Sequence, residues 1–292
     1  MAQYVTKIKT VDGDKQLDYN ALANLPQLDT MFSNPNLLIN GDFQVWQRGT
    51  SFSNFENGYT ADRWRIANAK GQTYLVEKSN DVPLGSVVKN SMHIVETYNE
   101  NTYLRYYVDS TLKGDFTLSF WYKTNVTFNS YVVNGDVPTH IFKSNASNTW
   151  TKAIINFNAT SLTRIEIIRA LQVGEVYIAG VKLEYGDMAT PFMPKPYSEE
   201  FLMCQRFYQM FTKTPVYTNS STGVTYAGLK CNIPMYANPT VKLLNAYDVN
   251  VSQVDGVQLV STVANEGNIT NVKFNKTIGQ YGYISCTLES EI

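Results

Sequence analysis

Two histidines, His93 and His140, are the whole imidazole inventory of this 292-residue chain. Neither stands at a spacing that couples it to a serine and an aspartate, or to a second metal ligand. His93, in Ser-Met-His-Ile-Val, falls on the strand face opposite Met92 and Ile94, which predicts a solvated position. Five carboxylates of the β-type region, Asp62, Glu77, Glu96, Glu166 and Glu184, are the raw material for a glycosidase, which needs only two opposed acids. Sequence does not place any two of them across a groove. No phosphate-cradling glycine loop, paired-cysteine motif or nucleophile elbow occurs. Asp12, Asp14 and Asp18 match part of a calcium loop, but the glycine and the terminal bidentate acid are misplaced. No catalytic residue, metal ligand or cofactor is therefore expected.

Binding chemistry is better supplied. Trp46, Trp64, Trp121 and Trp150 are flat rings that can stack on the apolar faces of sugars, with core packing as the competing role. Trp121 lies opposite the face carrying Phe116, Leu118 and Phe120, so it is the tryptophan expected to point outward and the candidate glycan contact. Tyr103, Tyr106 and Tyr107 are expected to line the sheet. Arg63 and Arg65 flank Trp64, and Asp62 with Arg63 reads as a local structural pair.

Composition narrows the classes. Hydrophobic residues make up 43% and charged residues 17%, as in a folded globular chain. The net charge of −1 and the lack of a basic block remove the electrostatic footprint of a nucleic-acid binder. The first residues carry no apolar signal region and no run is long enough to span a bilayer, so synthesis in a cytoplasm without membrane insertion is expected. Cys204, Cys231 and Cys286 are odd in number and widely spaced, which suits buried free thiols.

The elements that must position these residues are mostly strands. Leu104, Tyr106 and Val108 alternate, as do Phe116, Leu118, Phe120 and Tyr122. Trp150 to Phe157, Ile165 and Ile167 supply more. Tyr177, Ala179, Val181, Leu183 and Tyr185 read as one further alternating face. Asn36–Gly49 reads as an apolar run, an Asn-Gly turn and renewed alternation through Phe43 and Val45. Short strands punctuated by turns predict a mainly-β protein with a jelly-roll sandwich over residues 36–190. Residues 1–35 are expected to be a separate extended segment with a turn at Val11–Asp14 and a short helix from Asp18 to Leu25.

Pro191, Pro194 and Pro196 interrupt the pattern and open a junction over 191–212. Ser198 is placed as the cap of a helix running to Phe211, with Glu199 and Glu200 in its first turn. Phe201, Met203, Cys204, Phe207, Tyr208, Met210 and Phe211 fill half its circumference, a face wide enough to require flanking domains or sibling helices. Residues 213–292 resume β-type sequence and predict a smaller domain whose size favours oligomerisation.

Three blocks carry a resemblance. Asn36-Leu-Leu-Ile-Asn-Gly-Asp-Phe-Gln-Val-Trp-Gln-Arg-Gly49 with Tyr59-Thr-Ala-Asp-Arg-Trp64 resembles the opening of a domain found in bacteriophage tail-fibre and related virion proteins. Lys182–Phe192 with Glu199–Tyr208 is similar to its close, and Gly228–Thr240 to the segment that usually follows. The resemblance implies a virion structural protein with a jelly roll like a carbohydrate-binding module, made in the host cytoplasm, commonly homotrimeric and attached to host-surface glycan. It further implies an N-terminal segment that binds other virion proteins, for which Tyr4, Ile8, Leu17, Tyr19, Leu22 and Leu25 are the apolar contacts. Phe201, Met203, Phe207, Met210 and Phe211 are the expected oligomer contacts. A head fibre or capsid-decoration protein is the alternative reading, and a glycan-cleaving enzyme the distant third.

Overall fold

A computed structural model describes residues 7–10, 13–16, 33–68, 73–97, 102–171, 173–219, 224–227, 229, 231–237, 239–248, 259–265, 268–274 and 281–291. A small hairpin comes first, β1 (Lys7–Thr10) against β2 (Gly13–Gln16), flanking the expected turn. Ile8 sits opposite Lys15 in it and Asp14 opposite Lys9. Tyr4, Leu17, Tyr19, Leu22 and Leu25, the short helix, Asp12 and Asp18 lie outside the described residues.

The large sheet contains β3 (Ser51–Phe55), β4 (Gly58–Tyr59), β5 (Trp64–Asn68), β6 (Thr73–Ser79), β7 (Ser91–Glu96), β8 (Thr102–Thr124), β9 (Asn129–Asn134), β10 (Val137–Lys143), β11 (Ser147–Leu171) and β12 (Gly174–Tyr185). All its pairings are antiparallel. Two long strands, β8 and β11, run through both layers of a sandwich. In the first layer the first half of β8 lies between β5 and the second half of β11, with β9 and β10 beyond. In the second layer the other half of β8 lies between the start of β11 and β12, followed by β7, β6 and β3. The fold-over coincides with the irregular register between Ala159 and Arg164, opposite Gly114 at φ +133°.

Alternation explains which side chains meet inside. Leu104, Tyr106 and Val108 from one half of β8, and Phe116, Leu118, Phe120 and Tyr122 from the other, all enter one core. Edge-to-face rings join the layers, Phe120 to Phe142 at 5.9 Å and Tyr122 to Phe128 at 5.6 Å. The expected single face on β12 is not continuous. Gly180, at φ +56°, sits in a bulge between Ala179 and Lys182 and reverses the parity. Val176 and Ile178 point inward before it, Val181 and Leu183 after it, and Tyr177 is left on the outer face.

Asn36–Gly49 is not a pair of strands but a buried loop. Asn40 and Phe43 adopt φ +59° and +48°, a conformation that asparagine tolerates through local side-chain bonding. Asn40 donates to the carbonyls of Val45 (2.8 Å) and Asp62 (2.9 Å) and accepts from the Val45 amide (3.0 Å). At Gly41 a Cβ would stand 2.2 Å from the Val181 carbonyl oxygen, so only glycine fits against β12.

The junction helix, α1 (Tyr197–Gln205), starts after Pro196, which takes the cap position in place of Ser198 and offers no capping side chain. It ends six residues short of Phe211. Tyr208 opens β13 (Tyr208–Asn219), which pairs with the last strand; that ladder overrides the helical spacing. Met210 and Phe211 are therefore strand residues. The helix seats Cys204 against Ile39, Val45 and Phe207, and its Glu200 carboxylate accepts the Asn40 amide. Behind it lies a second antiparallel sheet in the order β15 (Thr240–Asp248), β18 (Tyr281–Glu289), β13, β14 (Val224–Ala227), β17 (Asn268–Phe274), β16 (Leu259–Asn265). Ile284, Cys286 and Leu288 of β18 centre its own core. The protein is thus mainly β: a jelly-roll-type sandwich, one helix among the described residues, and a smaller C-terminal sheet.

Arg63 joins the two sheets. It does not pair with Asp62, because its backbone, at φ +71°, turns the side chain away. The guanidinium is fully buried and donates to Glu291 Oε2 (2.7 Å), Asp109 Oδ1 (2.6 Å) and the Tyr107 carbonyl (2.8 Å). It also lies 3.7 Å from the Phe207 ring centroid and 5.1 Å from that of Tyr106. Asp62 instead accepts from the Gln47 amide (3.1 Å) and side chain (2.5 Å), with Arg48 at 3.5 Å.

Removing one partner of a buried ion pair strands the others, so Arg63→Ala should lower the unfolding free energy by about 3–5 kcal/mol in urea titration. Asp42 and Asp62 supply a pH signature. Burial raises each carboxyl from 3.8 to about 6, against the hydrogen bonds from Lys89 and Asn90 to Asp42 and the charge of Arg48 beside Asp62. The folded state holds those protons where the unfolded chain has released them, so this stabilisation is full below pH 4 and lost as pH rises through 6. The melting temperature should be higher at pH 5 than at pH 7, and less so in Asp42→Asn.

Candidate glycan-binding face

Register across the second layer lines up five outward residues from five adjacent strands. Glu77 on β6 faces His93 on β7; His93 faces Tyr177 on β12; Tyr177 faces Lys123 on β8. Trp150 on β11 follows, one residue before the pair Thr151–Tyr122. At the usual strand spacing the row is about 19 Å long. His93 and Tyr177 stack at 4.0 Å with planes 5° apart, Lys123 sits 4.2 Å from the Tyr177 centroid, and Trp150 meets Tyr177 edge-on at 6.3 Å.

Acids at the rim hold the row. Asp81 accepts from Lys123 and from Trp150 Nε1 (3.0 Å). Burial pushes the Asp81 carboxyl up, but those two donors outweigh it and hold it below the ordinary value. Tyr177 is shifted upward, by burial first and then by Glu175, Asp81 and Glu77. His93 Nδ1 contacts Glu77 Oε1 at 2.9 Å; its Nε2 is buried without a hydrogen bond, 3.5 Å from Glu175 Oε2. A cavity of about 250 Å³ opens beside the row, lined by Lys123, Thr124, Asn125, Asn148, Glu175 and Tyr177. A larger one, about 550 Å³, lies where Asn156 closes on the Asp187 carbonyl and Asn158 on Asp115, both at 2.7 Å.

Trp121, the ring picked from the sequence, is on this same face, one row over from Tyr177 and opposite Ala179. It is half-buried, 6.0 Å from the Lys152 ammonium and against Gly180. Trp46 and Trp64 are core residues. His93 is on the predicted face but is only 8% exposed, because Tyr177 and the two glutamates enclose it; it is not a solvated position. Tyr177 was hidden by the bulge at Gly180, and a glycine inside an alternating strand is the signal that could have exposed it.

The other singled-out residues have partners within the chain. Glu166 is buried under Arg105, Arg164 and Arg169, and Glu184 under Lys182 and Thr190. Glu96 accepts from Thr102 at 2.6 Å. All three cysteines are free and buried, and burial raises the thiols of Cys204 and, to about 12, Cys286, which leaves them as packing groups. Phe207 is enclosed between Arg63 and Tyr236, Phe201 and Met203 are partly covered by the helix seat, and Phe211 packs on the C-terminal core. Tyr197, Leu202 and Met210 are the large apolar side chains this stretch leaves exposed. Among the described residues no helix is long and apolar enough to cross a membrane.

No known sequence family matches the chain, and no curated protein sequence does. Solved structures do match in part. The enzymatically active domain of tailspike protein 4 of bacteriophage CBA120 is 17% identical over 51% of this chain and 21% of its own, with a TM-score of 0.38. A Clostridium thermocellum xylanase 10B fragment, comprising a carbohydrate-binding module and a catalytic module, is 16% identical over 42% and 26%, at 0.33. A family 29 carbohydrate-binding module from Piromyces equi is 11% identical over 47% of this chain and 91% of its own, at 0.33. The chain thus spans about a fifth to a quarter of the tailspike and xylanase chains. Matches this partial assign neither a ligand nor an activity to it.

The bulge sets where Tyr177 points. At Gly180 a Cβ would stand 2.7 Å from Val88, at a positive φ. Gly180→Ala should lower the melting temperature and change the near-ultraviolet dichroism of the Trp150–Tyr177 pair, while far-ultraviolet dichroism keeps its β signature.

Proposed function

We propose that this protein is a non-enzymatic structural protein of a bacteriophage particle that attaches to host-surface glycan through the outer face of its second layer. One observation carries the binding reading: the row Glu77–His93–Tyr177–Lys123–Trp150, with Trp121 alongside. Rings held by cation and acid neighbours offer flat apolar surface at little entropic cost, and sugar C–H faces fit such surface. Hydrogen-bonding groups of Lys123, Asn125, Asn148 and Glu175 stand at its edge. The length of the row suits an oligosaccharide better than a single sugar. The place on a particle rests on the three sequence blocks resembling tail-fibre and related virion proteins, as do the N-terminal attachment to other virion proteins and the homotrimer. No catalytic role is proposed for the carboxylates singled out from the sequence, since each already serves a neighbouring cation, hydroxyl or ring.

Trp150→Ala and Tyr177→Ala should each weaken binding to purified host-surface polysaccharide by about 2 kcal/mol, roughly thirtyfold, in titration calorimetry, with the melting temperature little changed. Full binding by both variants would refute the face. Antibody-gold on intact particles tests the location: label at the tail tip supports a receptor-binding fibre, and label spread over the capsid supports the head-fibre alternative.

A further inference from the structure

The first layer has an outer face of different chemistry. Arg65 on β5, Arg105 on β8, Glu166 on β11, Tyr131 on β9 and His140 on β10 follow one another in register. Arg164 and Arg169 flank Glu166 on its own strand. The carboxylate of Glu166 is fully buried beneath three guanidiniums, at 2.9 Å from Arg105 Nε and 3.1 Å from Arg164 and Arg169. Among the described residues no carboxylate stands within ion-pair reach of Arg65, whose Nη1 only donates to the Tyr107 hydroxyl at 3.4 Å. Four guanidiniums thus share this face with the Glu166 carboxylate, while Asp109, at the next outward position of β8 after Tyr107, is paired with the buried Arg63 instead, and this excess of positive charge stands on a chain whose net charge is −1.

Pairing the buried Glu166 carboxylate accounts for part of this arrangement, but one carboxylate does not offset so many guanidiniums. Arg65 and Arg105 are direct cross-strand neighbours, and like charges at that position repel. Each remaining guanidinium is also held on an aromatic ring: Arg105 lies 4.4 Å from Tyr103, Arg164 5.4 Å from Tyr107, and Arg169 4.3 Å from Tyr131. Arg105 and Arg164 meet Glu166 through Nε and Arg169 through Nη1, so other guanidinium nitrogens remain for planar recognition of a further carboxylate. The arginine side chains retain between 22% and 30% exposure.

We infer that this arginine–tyrosine face is a second glycan subsite, one that takes acidic sugar residues. The inference rests on the glycan-binding reading above and adds the chemical class of the ligand. Scattered fixed guanidiniums around a buried acid suit carboxylates spaced along a sugar chain; a nucleic acid would call for a continuous basic track, which the described residues do not form.

The test uses the full-length protein with polygalacturonate and with the same polymer after carboxyl reduction, which keeps the sugar backbone and removes the charge. Binding to polygalacturonate should weaken roughly tenfold or more on carboxyl reduction, and as steeply in the double variant Arg164→Gln/Arg169→Gln, with a marked salt dependence. Arg65→Gln, which breaks no ion pair, should show the same direction with an unchanged melting temperature and so guards against a folding artefact. Equal binding of both polymers, no binding of either, or binding insensitive to all these arginines would overturn the subsite. Loss in Trp150→Ala but not in the arginine variants would overturn it while sparing the aromatic face. Tighter binding of a duplex oligonucleotide than of polygalacturonate would overturn the sugar assignment.

Discussion

A guanidinium with no exposed surface can draw partners only from inside the protein, and Arg63 draws them from three parts of the chain, leaving its Nε alone without a hydrogen bond. Asp109 and the Tyr107 carbonyl belong to β8 of the sandwich, Glu291 follows the last strand, and Phe207 follows the helix. An unpaired buried charge costs several kcal/mol, so these groups are held to one arrangement. Arg48 repeats the theme from the neighbouring loop, 3.4 Å from Glu291 and 3.8 Å from the Tyr208 ring. Backbone bonds complete the joint: Ser290 donates to the Phe207 carbonyl at 2.8 Å and Tyr236 to that of Arg206 at 2.6 Å. The helix and C-terminal sheet are thereby tied to the edge of the sandwich through charge as much as through apolar contact.

Both outer faces are built on the strands of the sandwich itself. Strands β8 and β11 pass through both layers, so the same two strands contribute Lys123 and Trp150 to one face and Arg105, Arg164 and Arg169 to the other. Inward positions of β8 are filled by Leu104, Tyr106, Phe116, Leu118 and Phe120, all of them fully or almost fully buried. Every alternate residue must then face out, and the register with neighbouring strands decides which outward side chains become a row. One face is aromatic with acids at its rim; the other is aromatic with excess arginine. The difference in chemistry arises wholly from outward positions that the core does not constrain.

Much of this was legible in the residues. The alternation of Phe116, Leu118, Phe120 and Tyr122 forecast both the strand and its inner face, and by opposition the outward Trp121. The strands of the C-terminal sheet fall where turn-bounded β-type segments stand. What was not legible depends on single residues whose effect is tertiary. The bulge at Gly180 moves Tyr177 to the outer face, which strict alternation placed with Val181. Tyr208–Phe211 satisfies helical spacing as well as strand pairing, and only the edge offered by β18 decides between them. Asn36–Gly49 has the apolar content of strands, yet Asn40 draws it into a loop by bonding to its own backbone neighbours. Alternation puts His93 on the correct side of its strand, but the stacking that buries it needs a partner eighty-four positions away in the chain, Tyr177.

Tryptophan oxidation footprinting tests most directly whether glycan binds at the Trp150–Tyr177 row. Trp46 and Trp64 are buried, so Trp121 and Trp150 are the rings expected to react in the free protein. With saturating host-surface polysaccharide present, mass spectrometry should show Trp150 strongly protected and Trp121 protected to a lesser degree. Unchanged oxidation of Trp150 in a sample shown to be saturated with glycan would contradict the account.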